Sequence, residues 1–201
     1  MSSVLRKDQF HLPEGLIYLD GNSLGPLPRA VPARVAEMLK DEWGALLIKG
    51  WNSAGWMAQP STVGDTIGGL TGAPKGSVAM GDTLSIKVFQ AVAAAIKMRP
   101  GRRVILSDTG NFPTDLYMVD GLTKLLDAGY SLRTGPPETI VDFIDDRVAV
   151  VMLTQVDYRT GRMHDMDAIT KAAHAAGAVI IWDLAHSAGA VPVDLTACNC
   201  E

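Results

Sequence analysis

Four polar loops in this 201-residue chain each follow an apolar run. They are Gly81-Asp82-Thr83-Leu84-Ser85 after Met80, Asp108-Thr109-Gly110-Asn111-Phe112-Pro113-Thr114-Asp115 after Ser107, Thr154-Gln155-Val156-Asp157-Tyr158 after Leu153, and Asp183-Leu184-Ala185-His186-Ser187 after Trp182. In an open α/β sheet the ligand sits outside the carboxyl ends of the strands, so these loops are expected to converge on one crevice. Thr83, Leu84 and Ser85 open a helix, where free amides and hydroxyls can cradle a phosphate or simply cap the helix. Phe112 can present an aromatic face to a planar ring or serve as a core residue. Asp183 ends a hydrophobic strand; its desolvated carboxylate needs a cationic partner, a structural ion pair or a capping role. His186 either shares the side of the turn with Asp183 or is a solvated loop histidine.

A phosphate cradle, an aromatic face and a carboxylate at the sheet edge together suit a phosphorylated heteroaromatic with a ring nitrogen, which describes pyridoxal phosphate. Neither GxGxxG nor GxxxxGK[ST] occurs in the chain, which weakens a dinucleotide or P-loop reading.

The elements that must position these loops are legible from periodicity. After a turn-rich first thirty residues with a short strand at Ile17-Tyr18-Leu19, apolar positions Val31, Val35, Met38, Leu39, Trp43 and Leu46 predict an amphipathic helix from Pro28 to about Leu47. A break at Gly50 to Trp56 precedes a helix over 61–70. Strands and helices then alternate: strand 78–80, helix 86–98, strand 104–107, helix 113–126, a weak strand 131–132, a short helix 139–144, strand 148–153, helix 166–176 and strand 179–182. Val191 to Leu195 reads as a further element beginning. Continuous apolar strands joined by helices predict an α/β fold, a mostly parallel sheet with helices on both faces.

Composition bounds the remaining possibilities. With 18 Lys+Arg against 22 Asp+Glu the net charge is −4, and no basic cluster exists to bind nucleic acid. No apolar run approaches membrane-spanning length. The N-terminal stretch Met1-Ser2-Ser3-Val4-Leu5-Arg6-Lys7-Asp8 has charges where a signal peptide needs an apolar core, so a cytoplasmic location is expected. Cys198 and Cys200, one residue apart, match no metal or redox spacing and read as inert thiols, and no metal site is expected.

The strings Asp20-Gly21-Asn22-Ser23-Leu24-Gly25, Trp51-Asn52-Ser53-Ala54-Gly55-Trp56, Asn111-Phe112-Pro113-Thr114-Asp115 and Trp182-Asp183-Leu184-Ala185-His186-Ser187-Ala188-Gly189 make the chain resemble the kynureninase family of fold-type I pyridoxal-phosphate enzymes. The resemblance implies that Thr83, Leu84 and Ser85 take the phosphate and that Phe112 stacks on the pyridine ring. It implies that Pro113, Thr114 and Asp115 help hold the cofactor, Thr154 lines the site, Asp183 pairs with the ring nitrogen and His186 sits beside it. Trp51 falls where the substrate's aromatic ring packs, and Ser23 lies near the substrate. The implied reaction is hydrolysis of L-kynurenine, with 3-hydroxykynurenine a further candidate substrate, to anthranilate and L-alanine in a homodimer.

That chemistry runs through a Schiff-base lysine expected a few tens of residues beyond Asp183, yet no lysine follows Lys171. The chain therefore reads as the N-terminal half of such an enzyme, with residues 1–72 an arm and helices serving the active site and small domain, and residues 73–201 the first part of a truncated large domain. It is expected to be inactive alone. The rival readings are a cysteine desulfurase type, which would need a catalytic cysteine loop, and a non-catalytic half-chain that needs a separate C-terminal partner.

Overall fold

In a computed structural model, which describes residues 6–200, four strands form one sheet. They are β1 (Val104–Asp108), β2 (Ser131–Gly135), β3 (Val148–Thr154) and β4 (Val179–Asp183), in the order β2-β1-β3-β4 with every neighbouring pair parallel. β3 lies between β1 and β4 and is buried at all seven positions, which explains why it reads as a continuous apolar run rather than an alternating one.

The helices are α1 (Val31–Glu37), α2 (Gly50–Ser53), α3 (Gln59–Thr71), α4 (Leu84–Lys97), α5 (Pro113–Leu126) and α6 (Met166–Ala175). α4 and α5 cover one face of the sheet, where Val92, Ile96 and Val119 pack on Ile105, Val150 and Met152. α6 and a 3-10 segment, Pro137–Phe143, cover the other, with Ile140, Ile169 and Ala173 on Leu106, Val151 and Leu153. Both faces are therefore covered. α5 starts at Pro113, where the missing amide hydrogen costs nothing, and α6 starts at Asp165, whose side chain accepts from the Ala168 amide at 3.0 Å.

The chain divides into two compact units, Met1–Thr62 and Val63–Glu201. Met1 to Leu5 of the charged N-terminal run, and Glu201, lie outside the described residues. No described helix is long and apolar enough to cross a membrane.

Four expectations are corrected. Ile17–Leu19 forms no strand, because among the described residues no segment pairs with it; the Tyr18 hydroxyl instead donates to the Leu24 carbonyl at 2.6 Å across the turn. The predicted helix from Pro28 is α1 followed by a π-helical stretch, Met38–Gly44, and the path breaks at Leu47, whose φ is +50°. Val78–Met80 is loop rather than strand, since it runs against α3 and not beside another strand. A Cβ on Gly64 would lie 2.0 Å from the Val78 carbonyl oxygen, so only glycine permits that approach. Val191–Leu195 starts no regular element; the Leu195 amide donates to the Thr71 carbonyl at the end of α3.

Candidate active site

Parallel register sets the carboxyl edge of the sheet. Thr154, last in β3, is paired with Asp183, last in β4, and β1 ends next door at Asp108. The Thr154 hydroxyl lies 3.0 Å from Asp183 Oδ2 and is also bonded to Asn111 Oδ1. Asn111 Oδ1 accepts from the Phe112 amide at 2.6 Å, while Asn111 Nδ2 donates to Ser107 Oγ at 2.9 Å and Ser107 Oγ donates to the Met152 carbonyl at 2.7 Å. A buried chain of hydrogen bonds thus ties three strand ends together, which polar groups out of reach of water require.

Asp183 was expected to need a cation, an ion pair or a capping role. Among the described residues it has no cationic partner; Oδ1 accepts from the Ala185 amide at 2.8 Å and Oδ2 faces Thr154. It therefore holds its own turn through the Ala185 amide. Asp115, in the first turn of α5, is fully buried with neither carboxylate oxygen hydrogen-bonded. Burial above all, and the neighbouring Asp183 charge next, push its carboxyl up to about 7. Two carboxyls thus lie buried near each other, and that of Asp115 has no hydrogen-bond partner.

Phe112, Tyr158 and His186 line the adjacent space. The Phe112 and Tyr158 ring centroids are 5.0 Å apart at 62°, and His186 lies 6.2 Å from Phe112 and 6.1 Å from Tyr158. His186 is half-buried, not solvated, and its Nδ1 is buried with no partner.

The structure therefore brings Phe112, Asp115, Thr154, Asp183 and His186 together. Pro113 is exposed and Thr114 half-buried in the first turn of α5. Thr83 is the residue before α4 but makes no side-chain capping bond, so plain capping does not account for its hydroxyl. Leu84 and Ser85 open α4, whose first amides have no carbonyl partner within the helix. Ser23 and Trp51 belong to the first unit. Ser23 donates to Asp20 Oδ1 at 2.6 Å, and Trp51 is half-exposed, edge-on to Trp56 at 6.0 Å.

Two residues beside the site, Asn111 and Tyr158, lie in the quoted loops but were assigned no role there. Asn111 is the hub of the buried network, but its partners are 4 and 43 residues away in sequence, and nothing local announces them. Tyr158 was detectable, since the argument made for Phe112, an aromatic in a loop entering the crevice, applies to it equally. The two cysteines are free thiols pushed up in pKa chiefly by burial, in keeping with inert roles.

Residues 126–201 match the aminotransferase class-V family. The chain is 52% identical over 194 residues to a kynureninase of Burkholderia pseudomallei (strain 1106a), covering 94% of this chain and 47% of that protein. The same figures hold for a kynureninase of Pseudomonas fluorescens. Among solved structures it resembles a C-DES mutant with glycine covalently linked to the PLP cofactor, at TM-score 0.76 and 14% identity over 97% of this chain and 53% of that one. It likewise resembles the cysteine desulfurase CsdA from Escherichia coli, at TM-score 0.71 and 19% identity, covering 97% of this chain and 51% of the other. At such identities the structures speak for the fold alone. The chain spans about half the length of the curated relatives it matches. Over 94% of its length the chain is therefore similar to kynureninases, and its parallel α/β fold is that of the solved structures it resembles.

Proposed function

We propose that this chain is the cofactor-cradling half of a kynureninase-type hydrolase that binds pyridoxal phosphate and cleaves L-kynurenine, with 3-hydroxykynurenine a further candidate, to anthranilate and L-alanine. The observation that carries the reading is the 52% identity to kynureninases over 94% of the chain. Residues 1–72 are the arm and helices that serve the active site and a small domain, and 73–201 begin the large cofactor domain. The enzyme acts as a cytoplasmic homodimer.

The residues present fit the cofactor. A protonated ring nitrogen is the donor that a buried, unbonded Asp115 carboxyl and a cation-free Asp183 lack. Phe112 and His186 offer flat faces for the ring, and Thr83, Leu84 and Ser85 offer amides and hydroxyls for the phosphate. Bound there, pyridoxal phosphate supplies an electron sink for negative charge generated beside the amino acid's α-carbon.

The chain's own groups do the rest. Asp183 keeps the ring nitrogen protonated, because its charge has no other cation to answer it. Thr154 fixes the orientation of that carboxylate by its hydroxyl. Asp115, pushed up to about 7, carries a proton through much of the neutral range and so avoids placing a second bare charge in the pocket. Pro113 and Thr114 start the helix that presents Asp115. Trp51 supplies a face for the substrate's aryl ring and Ser23 a hydroxyl near its polar end.

A second reading, a half-chain that needs a partner polypeptide for turnover, is favoured by the lysines. Lys87, beside the phosphate loop, is engaged by Asp82 at 3.5 Å and Gln90 at 3.2 Å, and Lys171 pairs with Asp167 at 2.6 Å on the exposed side of α6. Absorbance titration is the test. The chain should bind pyridoxal phosphate saturably, Asp183→Ala should weaken it at least tenfold, and borohydride should trap no single lysine. Absence of saturable binding overturns the cofactor reading, and one uniquely trapped lysine overturns the need for a partner.

A further inference from the structure

The loops after β1 and β3 are joined by a cluster of charges that the proposed chemistry does not use. Residues 155–164 fold back on themselves: the His164 amide donates to the Gln155 carbonyl at 2.8 Å and the Asp157 amide to the Arg162 carbonyl at 2.9 Å. Asp157 Oδ1 accepts from the Arg159 and Thr160 amides at 2.8 and 3.1 Å, which fixes the tip that carries Tyr158. On the other loop, buried Asp108 accepts from the Gly110 amide at 2.8 Å through Oδ1 and meets His164 Nε2 at 2.6 Å through Oδ2.

Arg162 stands between the two carboxylates. Its Nη2 is 3.6 Å from Asp108 Oδ2 and 4.0 Å from Asp157 Oδ2, and its Nη1 lies within 3.4 Å of both His164 ring nitrogens. Arg159, 3.8 Å from Asp157, is half-exposed, so Arg162 is the more buried of the two cations. The loops close tightly around this point: a Cβ on Gly110 would lie 2.8 Å from Asp157 Oδ2 and 3.5 Å from Arg162 Nη2. Two residues beyond Gly110 is Phe112, and one beyond Asp157 is Tyr158, whose rings meet at 5.0 Å.

We propose that Arg162 is a positioning residue that clamps the loops after β1 and β3 together, so setting the spacing of Phe112 and Tyr158 and making Tyr158 part of the wall against which the cofactor's heteroaromatic ring packs. Without the guanidinium, the ionisable partners left among the described residues are the half-exposed Arg159 for Asp157, at 3.8 Å, and His164 for Asp108, at 2.6 Å, so no cation bridges the two carboxylates, and the two rings part. A lysine there keeps the charge but loses the planar fork that reaches both carboxylates and the imidazole.

The ring-binding half of the proposal rests on the cofactor reading above, so the test has two parts. In the free chain, amide hydrogen exchange should rise in both 109–113 and 157–161 for Arg162→Gln and less for Arg162→Lys, with the strands unchanged. Exchange confined to 157–161 overturns the clamp. In the second part, pyridoxamine 5′-phosphate, which cannot form an imine with a lysine, is titrated by its fluorescence. Arg162→Gln and Tyr158→Ala should each weaken binding about tenfold, and the double variant should be no weaker than Tyr158→Ala alone, because Arg162 acts through Tyr158. Additive losses, or an unaltered affinity in Arg162→Gln, overturn the proposal while leaving the cofactor reading intact. No binding by the unsubstituted chain overturns the cofactor reading and the ring-wall role together, with the exchange result still deciding the clamp.

Discussion

Between residues 6 and 62 only Gly50 is buried, whereas β3 alone in the second unit buries seven residues in a row. The apolar positions of α1 and its π-helical continuation, Val31, Val35, Leu39 and Trp43, are spaced as an amphipathic face, yet all four are exposed. The helices of the second unit have the same kind of spacing and bury it on both sides of a sheet. Periodicity thus reports which side of a helix is apolar, and burial reports whether that side has found a cover. The first unit gets little stability from its own apolar residues; the second unit can bury enough to hold even an unbonded carboxyl.

This contrast can be broken by substitution. The largest effect is expected for Leu106→Ala on β1, where a fully buried side chain leaves a cavity in a packed core. It should cost about 2–5 kcal/mol by urea unfolding, and a loss near zero would show that the sheet is not the stabilising core. Next comes Asp115. Its carboxyl is raised from 3.8 to about 7 in the folded chain, so between those values the native state binds a proton that the unfolded state has lost. Stability should therefore fall as pH rises from about 4 to about 7 and then level, by at most about 1.4 kcal/mol per pH unit. Asp115→Asn should remove that slope, and a variant with the parent's slope would place the titration elsewhere. The smallest effect is expected for Leu39→Ala, whose side chain is half-exposed in the first unit. Its unfolding free energy should change by under about 0.5 kcal/mol; a core-sized loss would show that this face is covered in solution.

Much of the second unit was legible because its signals are local. Pro113 and the apolar spacing after it marked α5 to the residue, and the β-branched runs marked β1, β3 and β4 to within a residue. Two of the misjudged segments depended on a neighbour. Ile17–Leu19 has strand-like residues but no strand to pair with, and Val78–Met80 is held against a glycine of α3. The site divides the same way. Phe112, Asp183 and His186 were singled out by their place after a strand and Thr154 by the resemblance, while the contacts of Asn111 and the Arg162 cluster needed partners tens of residues away.

By itself, then, the sequence determined the alternation of strands and helices from residue 104 on, the parallel class of the sheet and three of the four loops expected at its carboxyl edge, those after β1, β3 and β4, since these follow from periodicity and turn chemistry within a few residues. Only the tertiary structure decided that Thr154 stands between Asn111 and Asp183. It alone decided that Asp115 is dry enough to hold its proton up to about 7, and that the apolar face of α1 is bare. Desolvation and hydrogen-bond satisfaction are properties of what surrounds a side chain, and those surroundings are assembled from distant parts of the chain.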